Sequence, residues 1–135
     1  MENWKGWLED WYKEQVEVRH MLHRNPELPY EERETTRFLK QQLKDWGIQV
    51  EELPGLETGV SAVIEGAHPG PMLVLREDID ALPILENTGL DFASQKPGVC
   101  HACGHDVHTA ALLYAARALQ QLREELHGSV KLIFQ

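Results

Sequence analysis

Nine consecutive residues, Cys100-His101-Ala102-Cys103-Gly104-His105-Asp106-Val107-His108, carry two thiols, three imidazoles and a carboxylate. Thiolate and imidazole are the donors that zinc and its neighbours among the transition metals select. Cys103 and His105 stand two apart with Gly104 between them. A residue without a Cβ lets the backbone fold tightly enough to bring both donors to one ion. Asp106 then has two available roles, as cap of a following helix or as acceptor for the far N–H of a ligating histidine. Cys100 and Cys103 also form a Cys-x-x-Cys pair, so a thiol redox couple and half of a structural zinc knuckle stay open. Gly104 follows the second cysteine where c-type haem attachment needs a histidine.

A second cluster, Arg76-Glu77-Asp78-Ile79-Asp80-Ala81-Leu82-Pro83, directly follows the apolar run Met72-Leu73-Val74-Leu75. If the strand continues, Asp78 and Asp80 project to one side. Two close carboxylates repel unless a cation, a proton or an imidazolium lies between them. A metal site or a ligating histidine supplies that charge; the plainer alternative is that Arg76 neutralises one aspartate and the other caps a turn. His20 and His23, three apart on a helical stretch, read as solvated, as do His68 and His127 in turns. Trp4, Trp7 and Trp11 follow helical spacing and read as core, or as an interface if their face is open.

The elements that must position these groups follow from periodicity. Apolar residues at 4, 7, 8, 11, 18 and 22 mark a helix that ends near Asn25-Pro26. A second helix runs from after Pro29 through Thr35, Phe38, Leu39, Leu43 and Trp46, with acidic residues in its first turn and Gly47 as its left-handed stop. Strands follow at 48–51, 60–64 and 72–75, the last read as covered on both faces. A polar irregular loop spans 86–98. A third helix begins at Asp106 or Thr109 with an inner face of Leu112, Ala115, Leu119, Leu122 and Leu126, and Gly128 ends it. The chain finishes on the strand 130–134. The expected fold class is α/β, a layered helix–sheet–helix arrangement, with both clusters in loops that leave a strand and precede a helix.

The chain has 135 residues, 13 Lys plus Arg against 22 Asp plus Glu, and a formal charge of −9. The acidic surplus is spread over both halves, which argues against a nucleic-acid partner and against an anionic membrane surface. No stretch approaches the ~20 apolar residues of a membrane span. The segment from Met1 lacks the apolar core of a secretory leader, and a cytoplasmic location is expected. Neither Gly-x-Gly-x-x-Gly nor Gly-x-Ser-x-Gly occurs, so nucleotide-binding and serine-hydrolase readings have no support.

Taken together, Arg76-Glu-Asp-Ile-Asp-Ala-Leu-Pro-Ile84 and Pro97-Gly-Val-Cys-His-Ala-Cys-Gly-His-Asp-Val-His-Thr109 resemble the aminoacylase and carboxypeptidase G-type metallopeptidases. The branch is that of hippurate hydrolases, N-acyl-amino-acid amidohydrolases and auxin-conjugate hydrolases. His23-Arg-Asn-Pro-Glu-Leu28 with Glu32 and Thr36, and Gly47-Ile-Gln-Val50, fit the same pattern. The resemblance implies hydrolysis of the amide of a small N-acyl amino acid or peptide at a site of one or two divalent ions, zinc or manganese. It implies Cys103 and His105 as metal ligands, Asp80 as the catalytic aspartate that orients or supports a ligating histidine, and Asp78, Asp106 and His108 in supporting positions. Cys100 departs from the branch, which commonly has Met there.

In the family, Leu-Ile-Phe-Gln is followed by Pro-Ala-Glu-Glu, which supplies a general base and a further ligand, and later by more histidine ligands and an inserted second domain. Residues 1–135 are therefore expected to be the N-terminal part of a zinc-peptidase-like catalytic domain, incomplete and without the second domain. Little activity alone and self-association through an open sheet edge are expected. The competing expectations are a non-catalytic metal-binding or oligomerising scaffold, and a thiol redox protein using Cys100 and Cys103.

Overall fold

A computed structural model describes residues 4–135; Met1–Asn3, the head of the segment read for a leader, lie outside it. The elements in order are α1 (Trp4–Arg24), α2 (Arg33–Asp45), β1 (Gln49–Glu51), β2 (Val60–Glu65), β3 (His68–Glu77), α3 (His105–Gln121), a 3₁₀ turn (Arg123–Glu125) and β4 (His127–Phe134). No helix among the described residues is long and apolar enough to cross a membrane.

The sheet order is β1-β2-β4-β3. β2 runs antiparallel to β1 and to β4, while β3 and β4 are parallel. That parallel pair forces a crossover, and α3 is its helix. Because β3 and β4 point the same way, Glu77 and Phe134 end side by side in register. The segment after β3 and the start of α3 thus meet at one end of the sheet, where open α/β sheets place their sites.

α2 and α3 lie against the sheet, and α1 packs on α3. The core they enclose includes Leu39, Leu43, Ala62, Ile64, Leu113, Leu132 and Phe134. β4 alternates as its sequence dictates, with Val130, Leu132 and Phe134 inward. On the other face Lys131 pairs with Glu51 at 3.2 Å.

Several expectations need correction. The run Met72-Leu73-Val74 is not covered on both faces: β3 is an edge strand, and these side chains are about half exposed. β3 also begins earlier than periodicity suggested, taking in Pro69 and Pro71 through an irregular register between His68 and Met72. Pro is tolerated there because an edge strand has one unpaired side. The third helix buries Thr109, Ala110, Leu113, Tyr114 and Ala116; of the expected inner face Leu112, Leu119 and Leu126 pack against the core, while Ala115 is exposed. It stops at Gln121, and Gly128 lies inside β4 instead. Gly128 has φ of 101°, and a Cβ there would overlap the Pro71 carbonyl, so only glycine lets the two strands approach. Of the tryptophans, Trp4 is exposed; Trp7 and Trp11 stack at 5.6 Å and are half-buried, and Trp11 packs against the core as expected.

α2 starts without help from its own N-cap residue. The Glu27 carboxylate, arriving from the Asn25-Pro26 turn, accepts bonds from the Glu34 and Thr35 backbone N–H groups at 3.0 and 2.6 Å and from the Thr35 hydroxyl at 2.6 Å. An anion placed on these amides satisfies orphan donors and the positive end of the helix together. At the other end Gly47, with φ of 77°, closes α2 as expected.

Leu113 is fully buried between α3 and the sheet. Leu113→Ala is expected to lower stability by about 2–5 kcal/mol through lost burial and an unfilled cavity. Urea denaturation followed by circular dichroism measures it.

Candidate functional site

After Glu77 the chain stays extended for four residues. Ile79 and Ala81 are buried, so Asp78 and Asp80 face outward, on one side as the alternation predicts. Three backbone ties hold this segment: Ile79 N–H to the Gln135 carbonyl at 2.8 Å, Ala81 N–H to the Glu27 carbonyl at 2.8 Å, and reciprocal bonds between Leu82 and Cys100 at 2.9 and 3.0 Å. The last pair brings the Cys-x-x-Cys segment alongside the aspartates.

α3 begins at His105, after Gly104 in the left-handed conformation with φ of 79°. That turn sends the His105 ring to Asp80. His105 Nδ1 lies 2.8 Å from the Asp80 carbonyl and 3.0 Å from its Oδ1. An Nδ1–H donated to Asp80 leaves Nε2 as the lone-pair nitrogen, the tautomer a metal ligand needs. Nε2 itself is 3.9 Å from Asp78 Oδ2. Asp78 is held by Arg76 at 2.6 Å, so the plainer reading of that aspartate also holds. Cys103 is exposed at the same turn. His108 is exposed, its ring 6.2 Å from that of His105.

The structure therefore brings Asp78, Asp80 and His105 together. Among the described residues, no group of three or more His, Cys, Asp or Glu side chains converges as a metal cage. The donor chemistry still fits a divalent ion, since the turn offers a solvent-facing thiol and an imidazole nitrogen fixed in its accepting form. Cys100, by contrast, is buried, and burial with the nearby Glu86 carboxylate pushes its thiol up. This makes it an inert thiol.

Asp106 corrects the sequence reading. It makes no helix-capping bond and does not accept from a ligating histidine. It is 1% exposed, and its Oδ2 accepts from Arg19 Nε at 2.8 Å and pairs with His23 Nδ1 at 2.8 Å. Burial acts to raise its pKa, but the bonds from His23 and Arg19 prevail and hold it below the usual carboxylate range. His23 is likewise buried, not solvated, and its Nε2 meets Glu86 Oε1 at 2.8 Å. His20 stacks on Phe92 with centroids 3.8 Å apart. His68 and His127 are exposed as expected, stacked on each other at 4.6 Å. No local signal in α1 marks this cluster, whose partners lie 63 and 83 residues away.

Glu77 lies beneath the site. Its Oε2 accepts from the Thr109 hydroxyl at 3.0 Å, and its buried Oε1 has no protein partner. Burial pushes its pKa up to about 8, with Asp78 and Asp80 adding to the rise and Thr109 and Arg76 opposing it.

Comparison with known proteins places this geometry. Residues 74–135 match the profile of Peptidase family M20/M25/M40. The chain is 52% identical over 123 residues to an N-acetyl-L-cysteine deacetylase of Bacillus subtilis, covering 91% of this chain and 29% of that protein. It is 43% identical over 117 residues to an N-acyl-L-amino acid amidohydrolase of Geobacillus stearothermophilus, covering 87% and 31%. Among solved structures, the Bacillus subtilis YXEP protein, described as a dinuclear metal binding peptidase from the M20 family, superposes with a TM-score of 0.91 at 45% identity. That match covers 94% of this chain and 36% of the other. The chain thus spans about a third of the length of these relatives, all of which are named as hydrolases or peptidases.

Two outcomes follow from the site's burial pattern. Iodoacetamide is expected to label Cys103 in the folded chain and Cys100 only after unfolding, read by mass spectrometry of the digested protein. Glu77 should make stability fall with rising pH. Below the ordinary carboxylate range both folded and unfolded chains hold its proton; between that range and about 8 only the folded chain does, so the folded state loses ground as pH climbs. Glu77→Gln should match the wild type near pH ~4 and exceed it by roughly 3–5 kcal/mol near pH ~8.5. Unfolding midpoints across a pH series test this, and parallel curves would refute it.

Proposed function

The chain carries part of a peptidase M20 domain, and from that premise we propose that it supplies metal ligands and a supporting aspartate to the hydrolysis of N-acyl amino acids. Residues 1–135 form the N-terminal part of the catalytic, metal-binding domain. Cys103 and His105 hold a divalent ion, zinc or manganese, with one or two ions in the intact enzyme. The observation that carries the reading is the pairing of His105 Nδ1 with Asp80, which leaves Nε2, two residues from the exposed Cys103, without a hydrogen-bond partner among the described residues. The names of the relatives support the substrate class, a small N-acyl amino acid.

When bound, such an ion polarises the scissile carbonyl and lowers the pKa of a water. This chain's own residues prepare that chemistry. Asp80 fixes the His105 tautomer and raises its basicity as a ligand. Asp78, held by Arg76, adds negative charge beside Nε2, which favours a cation there. His108, exposed one helical turn on, stands where it can meet the ligand or solvent. Asp106 acts at a distance, through α1.

Cobalt(II) titration tests the proposal. The chain is expected to develop the near-ultraviolet band of thiolate-to-cobalt charge transfer. Cys103→Ser should abolish it, Cys100→Ser should leave it, and His105→Ala should weaken affinity by about 10-fold or more. Adding N-acetyl-alanine, which has no thiol of its own, should shift the cobalt d–d bands. A band that survives Cys103→Ser overturns the assignment.

A further inference from the structure

We infer that His23, with Arg19, is a positioning residue for the candidate metal site: it locks the start of α3 and the loop after β3 to the last turn of α1. The inference rests on the proposed role of Cys103 and His105, but its geometry stands independently of any ion.

Four separate segments converge on one helical turn. The His23 ring bridges Asp106 at the start of α3 and Glu86 in the loop after β3, at 2.8 Å on each nitrogen. Glu86 in turn accepts from Ser94 N–H at 3.0 Å and from the Thr88 hydroxyl, so His23 holds a loop that is itself closed. Arg19, one turn earlier, reaches the same Asp106 oxygen, and its guanidinium lies 4.7 Å over Phe92. The backbone adds two ties, Gln95 N–H to the Arg24 carbonyl at 2.9 Å and Ala81 N–H to the Glu27 carbonyl at 2.8 Å. Ala81 adjoins Asp80, and Asp106 adjoins His105. Both halves of the Asp80–His105 pair are therefore fixed to the corner Arg19–Glu27.

Stability alone does not call for charges here. Buried ion pairs recover little of their desolvation cost, and apolar side chains of similar volume commonly serve as well. Directional bonds from one ring to two carboxylates on different segments fix an orientation that apolar packing would leave free. Metal sites depend on such outer partners, whose loss typically costs about 10–100-fold in affinity.

The test compares the 135-residue wild type with His23→Gln, Glu86→Gln and the core control Leu43→Ala, which touches none of these groups. The first readout is amide hydrogen exchange without metal. In His23→Gln, exchange across residues 99–106 should accelerate about tenfold more than in β2 and β4; Glu86→Gln should do the same to a smaller degree. Leu43→Ala should accelerate all segments together. The second readout is cobalt affinity, expected to weaken about tenfold in His23→Gln and to be unchanged in Leu43→Ala under conditions where both are folded. Uniform exchange in both network variants, or cobalt affinity unmoved by His23→Gln, overturns the inference. If the wild type itself shows no thiolate–cobalt band, the metal reading falls, and the exchange pattern alone then upholds or sinks the positioning role.

Discussion

Asp106 is a carboxylate buried at the start of a helix, and its charge is held chiefly by bonds from Arg19 and His23, which come to it from another element. A lone ionised carboxyl in such a place would cost several kcal/mol or take up a proton. Meeting that requirement obliges α1 to pack on α3 in one register. That register determines where the Asn25-Pro26 corner falls. From the corner, Glu27 caps α2 with its side chain and receives Ala81 with its backbone. A single buried charge thereby couples the placement of three helices and the strand-end segment bearing Asp80.

The sheet supplies the other constraint. A parallel β3–β4 pair delivers two strand ends to the same edge, and the Leu82–Cys100 bridge folds the intervening loop back on itself. Sequence distance between the two clusters is thus removed by two inexpensive devices, a crossover helix and one antiparallel bridge. The loop can remain irregular elsewhere because its ends are fixed there and its middle is pinned through Glu86.

Periodicity made much of this legible. The helices at 4–24 and 33–45, their Pro and Gly stops and the strands near 49, 60 and 130 lie where apolar spacing put them. The Asp80–His105 proximity was expected from the two motifs, and the distances agree. What escaped was non-local. His20 and His23 sit on a helix whose own pattern gives no hint of burial, because their partners, Phe92, Glu86 and Asp106, lie 63 to 83 residues away for the bonded ones. Asp106 was assigned to the helix it begins, since capping is a local rule, whereas the competing ligands came from another helix.

Four carboxylates crowd the strand ends, and each is quenched by a different means. Asp78 is paired by Arg76, Asp80 is met by the His105 Nδ1, and Asp106 is held by Arg19 and His23. Glu77, buried without a cationic contact, keeps a proton to about pH 8. With those charges settled inside the protein, none has to be neutralised by disturbing His105 Nε2 or the Cys103 thiol. His105 Nε2 has no hydrogen-bond partner among the described residues, since Asp78 at 3.9 Å is beyond that reach, and Cys103 is open to solvent. With the carboxylates compensated, the softest donors are the ones left unengaged. An uncommitted nitrogen and sulfur beside compensated carboxylates distinguish this turn from a merely acidic surface.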